Sequence, residues 1–156
     1  MFTLMTETFA DGGAIPDVFT CEGDNISPAL TWAGEPKGTQ SYALIMDDPD
    51  APAGTWNHWL LWDIPGGVLS LPKQYRAAHA VHSGTNDFGK TGYGGPCPPK
   101  RDGAHRYFFR LYALDTPTLG VPEGARRKEL ERALRRHRLG IAEYMGRFER
   151  DLIRSS

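Results

Sequence analysis

HRYFFRLYAL, residues 105–114, is the stretch whose reading decides the fold. In an extended chain, His105, Tyr107, Phe109, Leu111 and Ala113 point to one side, and Arg106, Phe108, Arg110, Tyr112 and Leu114 to the other. Five aromatic or aliphatic groups on alternate positions predict a strand with one buried face. Working upstream, Asn57–Ile64 has the same period, with His58, Leu60, Trp62 and Ile64 on one face and Asn57, Trp59, Leu61 and Asp63 on the other. Both faces are mostly apolar, which predicts a central strand covered twice. Ser41–Met46 is an apolar run of strand length. It stops at Asp47-Asp48-Pro49, because the residue before a proline avoids the helical region and a proline cannot continue a central ladder.

Further out the signals are shorter. Met1–Thr6, Leu30–Trp32 and Ala77–His82 read as short strands. Residues 8–29 are rich in Gly, Pro, Asp and Asn and predict an irregular loop. Residues 83–104 predict a second, Gly/Pro-rich loop, and an unstructured loop of that length inside a small domain is usually functional. Downstream, residues 125–138 place Leu130, Ala133, Leu134 and His137 at helical spacing, with a favourable Glu131–Arg135 pair. Pro122 and Glu123 lie near the start of this helix, and Gly140 is placed to stop it. Residues 141–150 alternate Ala142, Tyr144, Gly146 and Phe148 against polar neighbours, a last strand. The order of strands, one late helix and a strand leaves no room for repeated parallel crossovers. The expected fold is mainly β: one domain over residues 1–156, an antiparallel two-sheet sandwich with a single helix near its end.

Composition agrees. Eighteen glycines and twelve prolines in 156 residues, with 11% aromatics, suit a loop-rich β protein. The net charge of −1, with both signs spread along the chain, gives no reason to expect a nucleic-acid partner. No segment is long and apolar enough to span a bilayer, and the N-terminus lacks a signal-peptide pattern. These features point to a cytoplasmic protein, in which Cys21 and Cys97 are expected to remain unpaired thiols.

Three stretches carry possible chemistry. Asp48-Pro49-Asp50-Ala51-Pro52 places two carboxylates in a stiff turn at a strand end; it can orient an imidazole, and it also reads as plain turn chemistry. His58 on an apolar strand face must bond through a ring nitrogen if buried. In GYGGPCPPKRDGAHRY, residues 92–107, prolines remove the N–H at 96, 98 and 99. The donors left in the wall are Gly94, Gly95, Cys97 and Lys100, which a stiff loop could aim at one anion. His105 and Tyr107 follow on one strand face. A metal site is not expected, since the histidines and cysteines match no close-ligand spacing. A Cys97 nucleophile is disfavoured by its place between prolines rather than at a helix N-terminus. The basic segment 126–138 reads as a solvated helix face, with an anionic surface as its alternative use.

Taken together, FTCEGDNISPALTW (19–32), MDDPDAPAGTWNHWLLWDIP (46–65) and GYGGPCPPKRDGAHRYFFRLYALD (92–115) resemble the phosphatidylethanolamine-binding protein family, in its prokaryotic Raf kinase inhibitor-like branch. The resemblance implies a β-sandwich with Greek-key character. It also implies a small cavity for phosphate, acetate-like ions or the phosphoryl groups of phosphatidylethanolamine or nucleotides. By motif match, the cavity residues would be Asp48, Pro52, His58, Gly95, Cys97, Pro98, Pro99, His105 and Tyr107. The eukaryotic branch often has glycine where Cys97 stands, so its backbone N–H rather than its thiol would meet a ligand. No cofactor is implied. The function implied is non-enzymatic binding, with a kinase as one kind of protein partner and a homodimer left open. A peripheral lipid-surface protein and a Cys/His hydrolase are the alternatives.

Overall fold

A computed structural model describes residues 1–150. Two antiparallel sheets carry the chain. The smaller is built from β1 (Thr3–Met5), β2 (Leu30–Ala33) and β5 (Ser70–Leu71), in the order β1-β2-β5. The larger contains β3 (Ser41–Asp48), β4 (Trp56–Pro65), β6 (His82–Ser83), β7 (His105–Leu114) and β8 (Arg138–Phe148), in the order β6-β4-β3-β7-β8. Helix α1 spans Arg127–His137 and runs directly into β8. The expected antiparallel two-sheet sandwich with one late helix is therefore the observed architecture. Among the described residues, no helix is long and apolar enough to cross a membrane. Residues 151–156, the end of the expected domain, lie outside the described residues.

The larger sheet is covered on both faces, as the doubly apolar pattern of β4 requires. Between the sheets, Leu4, Leu30, Trp32 and Leu71 pack against Tyr42, Leu44, Trp59, Leu61, Tyr107, Phe109 and Leu111. On the other face, Leu130 and Leu134 of α1 cover Ala43, Ile45, Leu60, Trp62, Tyr112 and Leu114. The two faces of β7 separate as the alternation predicts.

The strand faces of β4 depart from simple alternation at two points. Met46 pairs with Trp59 but Asp47 pairs with Asn57, so His58 is an extra residue on β4. Tyr42 pairs with Ile64 and Leu44 with Leu61, so Trp62 and Asp63 together oppose Ala43. Asp63 takes a left-handed conformation, φ 59°. Each bulge flips the side-chain parity beyond it. Ile64 thus joins Trp59 and Leu61 between the sheets rather than Leu60 and Trp62 under the helix. His58 likewise turns to the Trp59 side.

Other boundaries differ for local reasons. The strand expected over Ala77–His82 shrinks to His82–Ser83, the only part that pairs with β4. Helix α1 ends at His137, three residues before Gly140, which instead pairs with Ala113 in the sheet. Within α1 the i,i+4 ion pair is Arg127–Glu131 at 3.2 Å; a Glu131–Arg135 pair is not among the ion pairs of the described residues.

Cys21 and Cys97 form a disulfide, against the expectation of two free thiols. Folding brings them together through contacts that sequence spacing does not reveal: Cys21 N–H donates to the Pro96 carbonyl at 3.1 Å, and Gly95 N–H to Asn25 Oδ1 at 2.8 Å. The reducing-compartment premise loses its support accordingly.

Candidate functional site

A cavity of about 180 Å³ opens where the C-terminal end of β3, the start of β4 and the start of β7 meet the 83–104 loop. That is below the ~300–1,000 Å³ of clefts for drug-sized ligands, so the space suits a small group. Asp48, His58, His105 and Tyr107 provide its polar side chains, and Pro52, Cys97, Pro98 and Pro99 its stiff wall. Eight of the nine residues expected from sequence therefore line one space. Gly95 does not. Its N–H is engaged by Asn25, and a Cβ there would lie 2.3 Å from both Asn25 Oδ1 and the Phe19 carbonyl oxygen. Glycine at 95 lets the wall pass close to the 19–25 segment. Gly94 N–H is also directed inward, to the His58 carbonyl at 2.9 Å. Two of the four N–H groups expected to face an anion thus hold the loop instead.

Each polar side chain has a defined state. His58 is 2% exposed. Its Nδ1 lies 2.6 Å from the Gly94 carbonyl oxygen, which can only accept, so Nδ1 carries the proton. Burial pushes the His58 pKa down, and the Gly94 bond and nearby carboxylates only partly offset this. His58 is therefore a neutral imidazole, and Nε2 has no partner among the described residues. Its ring meets Tyr107 and Phe88 edge-on, both with centroids at 5.3 Å.

His105 is the opposite case. Nδ1 bonds Asp48 Oδ2 at 2.7 Å, and Nε2 bonds Asp102 Oδ2 at 3.0 Å. Burial pushes its pKa down, but the two carboxylates outweigh this and the net shift is upward. With a carboxylate on each nitrogen, His105 is an imidazolium with no N–H left to offer. Asp48 is itself fixed, because its Oδ1 accepts the Asp50 N–H at 2.8 Å. Asp50 in turn holds Arg106 through its backbone N–H, Nε and Nη2, and its pKa falls to about 2, chiefly through the guanidinium bonds. The Tyr107 hydroxyl and Trp56 Nε1 are buried without a hydrogen-bond partner, and both residues line the cavity. Burial, with Asp48 close by, raises the Tyr107 pKa, so it stays a protonated donor.

Sequence reasoning missed Ala51, Trp56 and Phe88 in the lining and Asp102 behind His105. Ala51 lay within the quoted turn. Asp102 is three residues before His105, a spacing that could have suggested the pair. Phe88 sits in an irregular loop where no periodicity marks its direction.

The phosphatidylethanolamine-binding protein family model matches residues 5–149. The chain belongs to that family. It is 44% identical over 151 residues to a UPF0098 protein of Aquifex aeolicus, covering 95% of this chain and 88% of the relative. A UPF0098 protein of Methanothermobacter thermautotrophicus is 46% identical over 151 residues, covering 94% and 98%. Among solved structures, Escherichia coli YbcL, described as a new member of the mammalian family, superposes with a TM-score of 0.90 at 33% identity, covering 96% of this chain and 99% of YbcL. The family homologue CT736 of Chlamydia trachomatis gives a TM-score of 0.88 at 36% identity, covering 96% and 98%. Both similarities extend over the full sandwich and the late helix of this family member.

Proposed function

We propose that this protein is a non-enzymatic binding module whose cavity takes a small phosphoryl group, such as free phosphate or the head group of a phospholipid or nucleotide. The observation that carries this reading is a pair of buried donors without a close hydrogen bond, Trp56 Nε1 and Tyr107 Oη, the latter with Asp48 nearby, on residues that line a small cavity. Buried polar groups are normally satisfied, so donors without a protein partner point to an occupant with acceptor oxygens. Binding rather than catalysis fits the groups present: the Cys97 sulfur is in a disulfide, and both nitrogens of His105 are engaged. A phosphorylated side chain of a protein partner, a kinase included, would present the same oxygens.

Calorimetric titration with phosphate, phosphoethanolamine and acetate tests this, using the native protein and Tyr107→Phe. The expected result is saturable binding that weakens roughly three- to tenfold in the variant, the worth of one neutral hydrogen bond. No saturable binding of any of the three at millimolar concentration removes the reading.

A second reading has one observation in its favour. Arg126, Lys128, Arg132, Arg135, Arg136 and Arg138 are exposed along and beside α1. They would favour an anionic lipid surface. Salt-sensitive sedimentation with phosphatidylglycerol vesicles, lost on replacing Arg132, Arg135 and Arg136 by Gln, supports it; no sedimentation at low salt rejects it.

A further inference from the structure

The hydrogen-bond chemistry of the cavity narrows the kind of oxyacid it accepts. Charge comes first. Asp48 and Asp102 outnumber the single His105 imidazolium, and neither Lys nor Arg lines the cavity. The nearest guanidinium, Arg106, is held outside by Asp50. The cavity therefore lacks the positive potential that would draw in a fully ionised oxyanion.

His58 comes second. Because its Nδ1–H is fixed on the Gly94 carbonyl, the nitrogen left over is Nε2, and on a neutral ring Nε2 can only accept. The groups that face His58 leave this unchanged. From β3 come Asp48 and, on the far side of the strand, Asp47, which Arg110 and Arg127 already bind. From the 83–104 loop come Asp87 and the Phe88 ring, and from β7 the His105 imidazolium and Tyr107. Asp87 is itself engaged by the Asn57 N–H at 2.6 Å. The lining residues thus bring two donors without a close hydrogen bond, Trp56 Nε1–H and Tyr107 Oη–H, the latter beside Asp48, and one acceptor, His58 Nε2.

We propose that the cavity selects oxyacids able to keep a proton near neutral pH, phosphate and phosphonate monoesters, over oxyanions that carry none, such as sulfate and sulfonates. A singly protonated phosphoryl group matches the set. Its P–OH donates to His58 Nε2, and its bare oxygens accept from Tyr107 and Trp56. An ester or phosphonate dianion, which has no P–OH, binds only by taking up one proton from solvent, which then sits between a ligand oxygen and Nε2; the inorganic phosphate dianion already carries one. Phosphomonoesters have a second pKa of about 6, so that proton is readily available. Sulfate has none to give, and its approach leaves lone pairs facing the Nε2 lone pair and two carboxylates. Sites built to hydrogen-bond a group reject an analogue lacking it, because the buried partner is left unpaired.

This inference rests on the oxyacid-binding reading, and one experiment separates their failures. Calorimetry at pH 7 with phosphate, methylphosphonate, sulfate and methanesulfonate should give binding of the first two. The last two should bind at least about tenfold more weakly. Repeating the methylphosphonate titration at pH 8, where its dianion carries no P–OH, in two buffers of different ionisation enthalpy should give net proton uptake. His58→Gln puts an amide that can donate where Nε2 accepts, and should narrow the phosphate-to-sulfate ratio. Sulfate binding within threefold of phosphate, or no proton uptake with methylphosphonate at pH 8, overturns the selectivity while leaving the oxyacid site intact. No binding of any of the four overturns both.

Discussion

Asp47 and Asp48 are neighbours in sequence and serve opposite faces of β3. Asp48 turns toward the cavity and holds His105; Asp47 turns toward α1 and binds Arg110 and Arg127. Both are at most 3% exposed, so each depends on its partner for the missing solvation. Replacing Asp48 by Ala leaves the buried His105 with Asp102 alone, and should cost on the order of 3 kcal/mol of unfolding free energy in denaturant titrations. Tyr107→Phe is the contrasting case. It removes a hydroxyl that makes no close hydrogen bond and has only Asp48 nearby, so stability should stay within about 1 kcal/mol while ligand affinity falls. A loss of several kcal/mol in Tyr107→Phe would mean that the hydroxyl serves the fold.

The two histidines also set opposite pH dependences. His105 has a raised pKa, so its contribution is complete below the ordinary histidine value of 6.5 and is lost as pH rises through the raised value. His58 has a lowered pKa, so its contribution is complete above 6.5 and is lost as pH falls toward the lowered value. The pair predicts greatest stability near pH 6.5, with the alkaline fall absent in His105→Asn. Denaturant midpoints from pH 5 to 8.5 read this directly.

At the scale of elements, the bulge at His58 is what makes β4 part of the site. Without the extra residue, His58 would share the Leu60 and Trp62 side and face the helix. Arg127 at the start of α1 steadies the strands around the bulge, since its guanidinium reaches both Asp47 on β3 and Asn57 Oδ1 on β4, the latter at 2.8 Å. Arg127→Met leaves Asp47 with Arg110, so the stability cost should be about 1–3 kcal/mol, below that of breaking the whole network. The same variant should shift the His58 ring resonances and leave those of His105 in place. Equal movement of both would mean a general loosening of the sheet.

This is also where the limit of the sequence lies. Alternation identified β7 and the middle of β4, because a period of two survives in strands buried by aromatic and aliphatic groups, and β3 was legible as an apolar run of strand length. A bulge has no compositional mark, so Ile64 and His58 were assigned to the wrong face. The motif residues Asp48, His58, His105 and Tyr107 were legible as a set because the resemblance linked them. Their protonation states were not, because these depend on the Gly94 carbonyl and on Asp102, and those contacts exist only after the long loop is placed. The same placement joins Cys21 to Cys97 across 76 residues.

Over the whole molecule, that disulfide ties the proline wall of the cavity to the loop between β1 and β2. In chain-entropy terms a cross-link over so long a loop contributes about 4.5 kcal/mol. Reduction, or Cys21→Ser with Cys97→Ser, should lower stability by that amount without unfolding the sandwich, because neither cysteine belongs to the apolar core on either face of the larger sheet. Unfolding on reduction would show instead that the 17–25 segment organises the core. The two sheets, the helix and the disulfide together leave one small space with unpaired donors, and the account stands on that space being occupied by an oxyacid. Long-range ¹H–¹⁵N spectra of the histidine rings during a phosphate titration test it most directly. The account predicts that His58 Nε2 moves, with saturation, from the shift of a free acceptor toward that of a hydrogen-bonded or protonated nitrogen, while both His105 nitrogens stay at imidazolium shifts. A His58 Nε2 resonance that does not move at millimolar phosphate would contradict it.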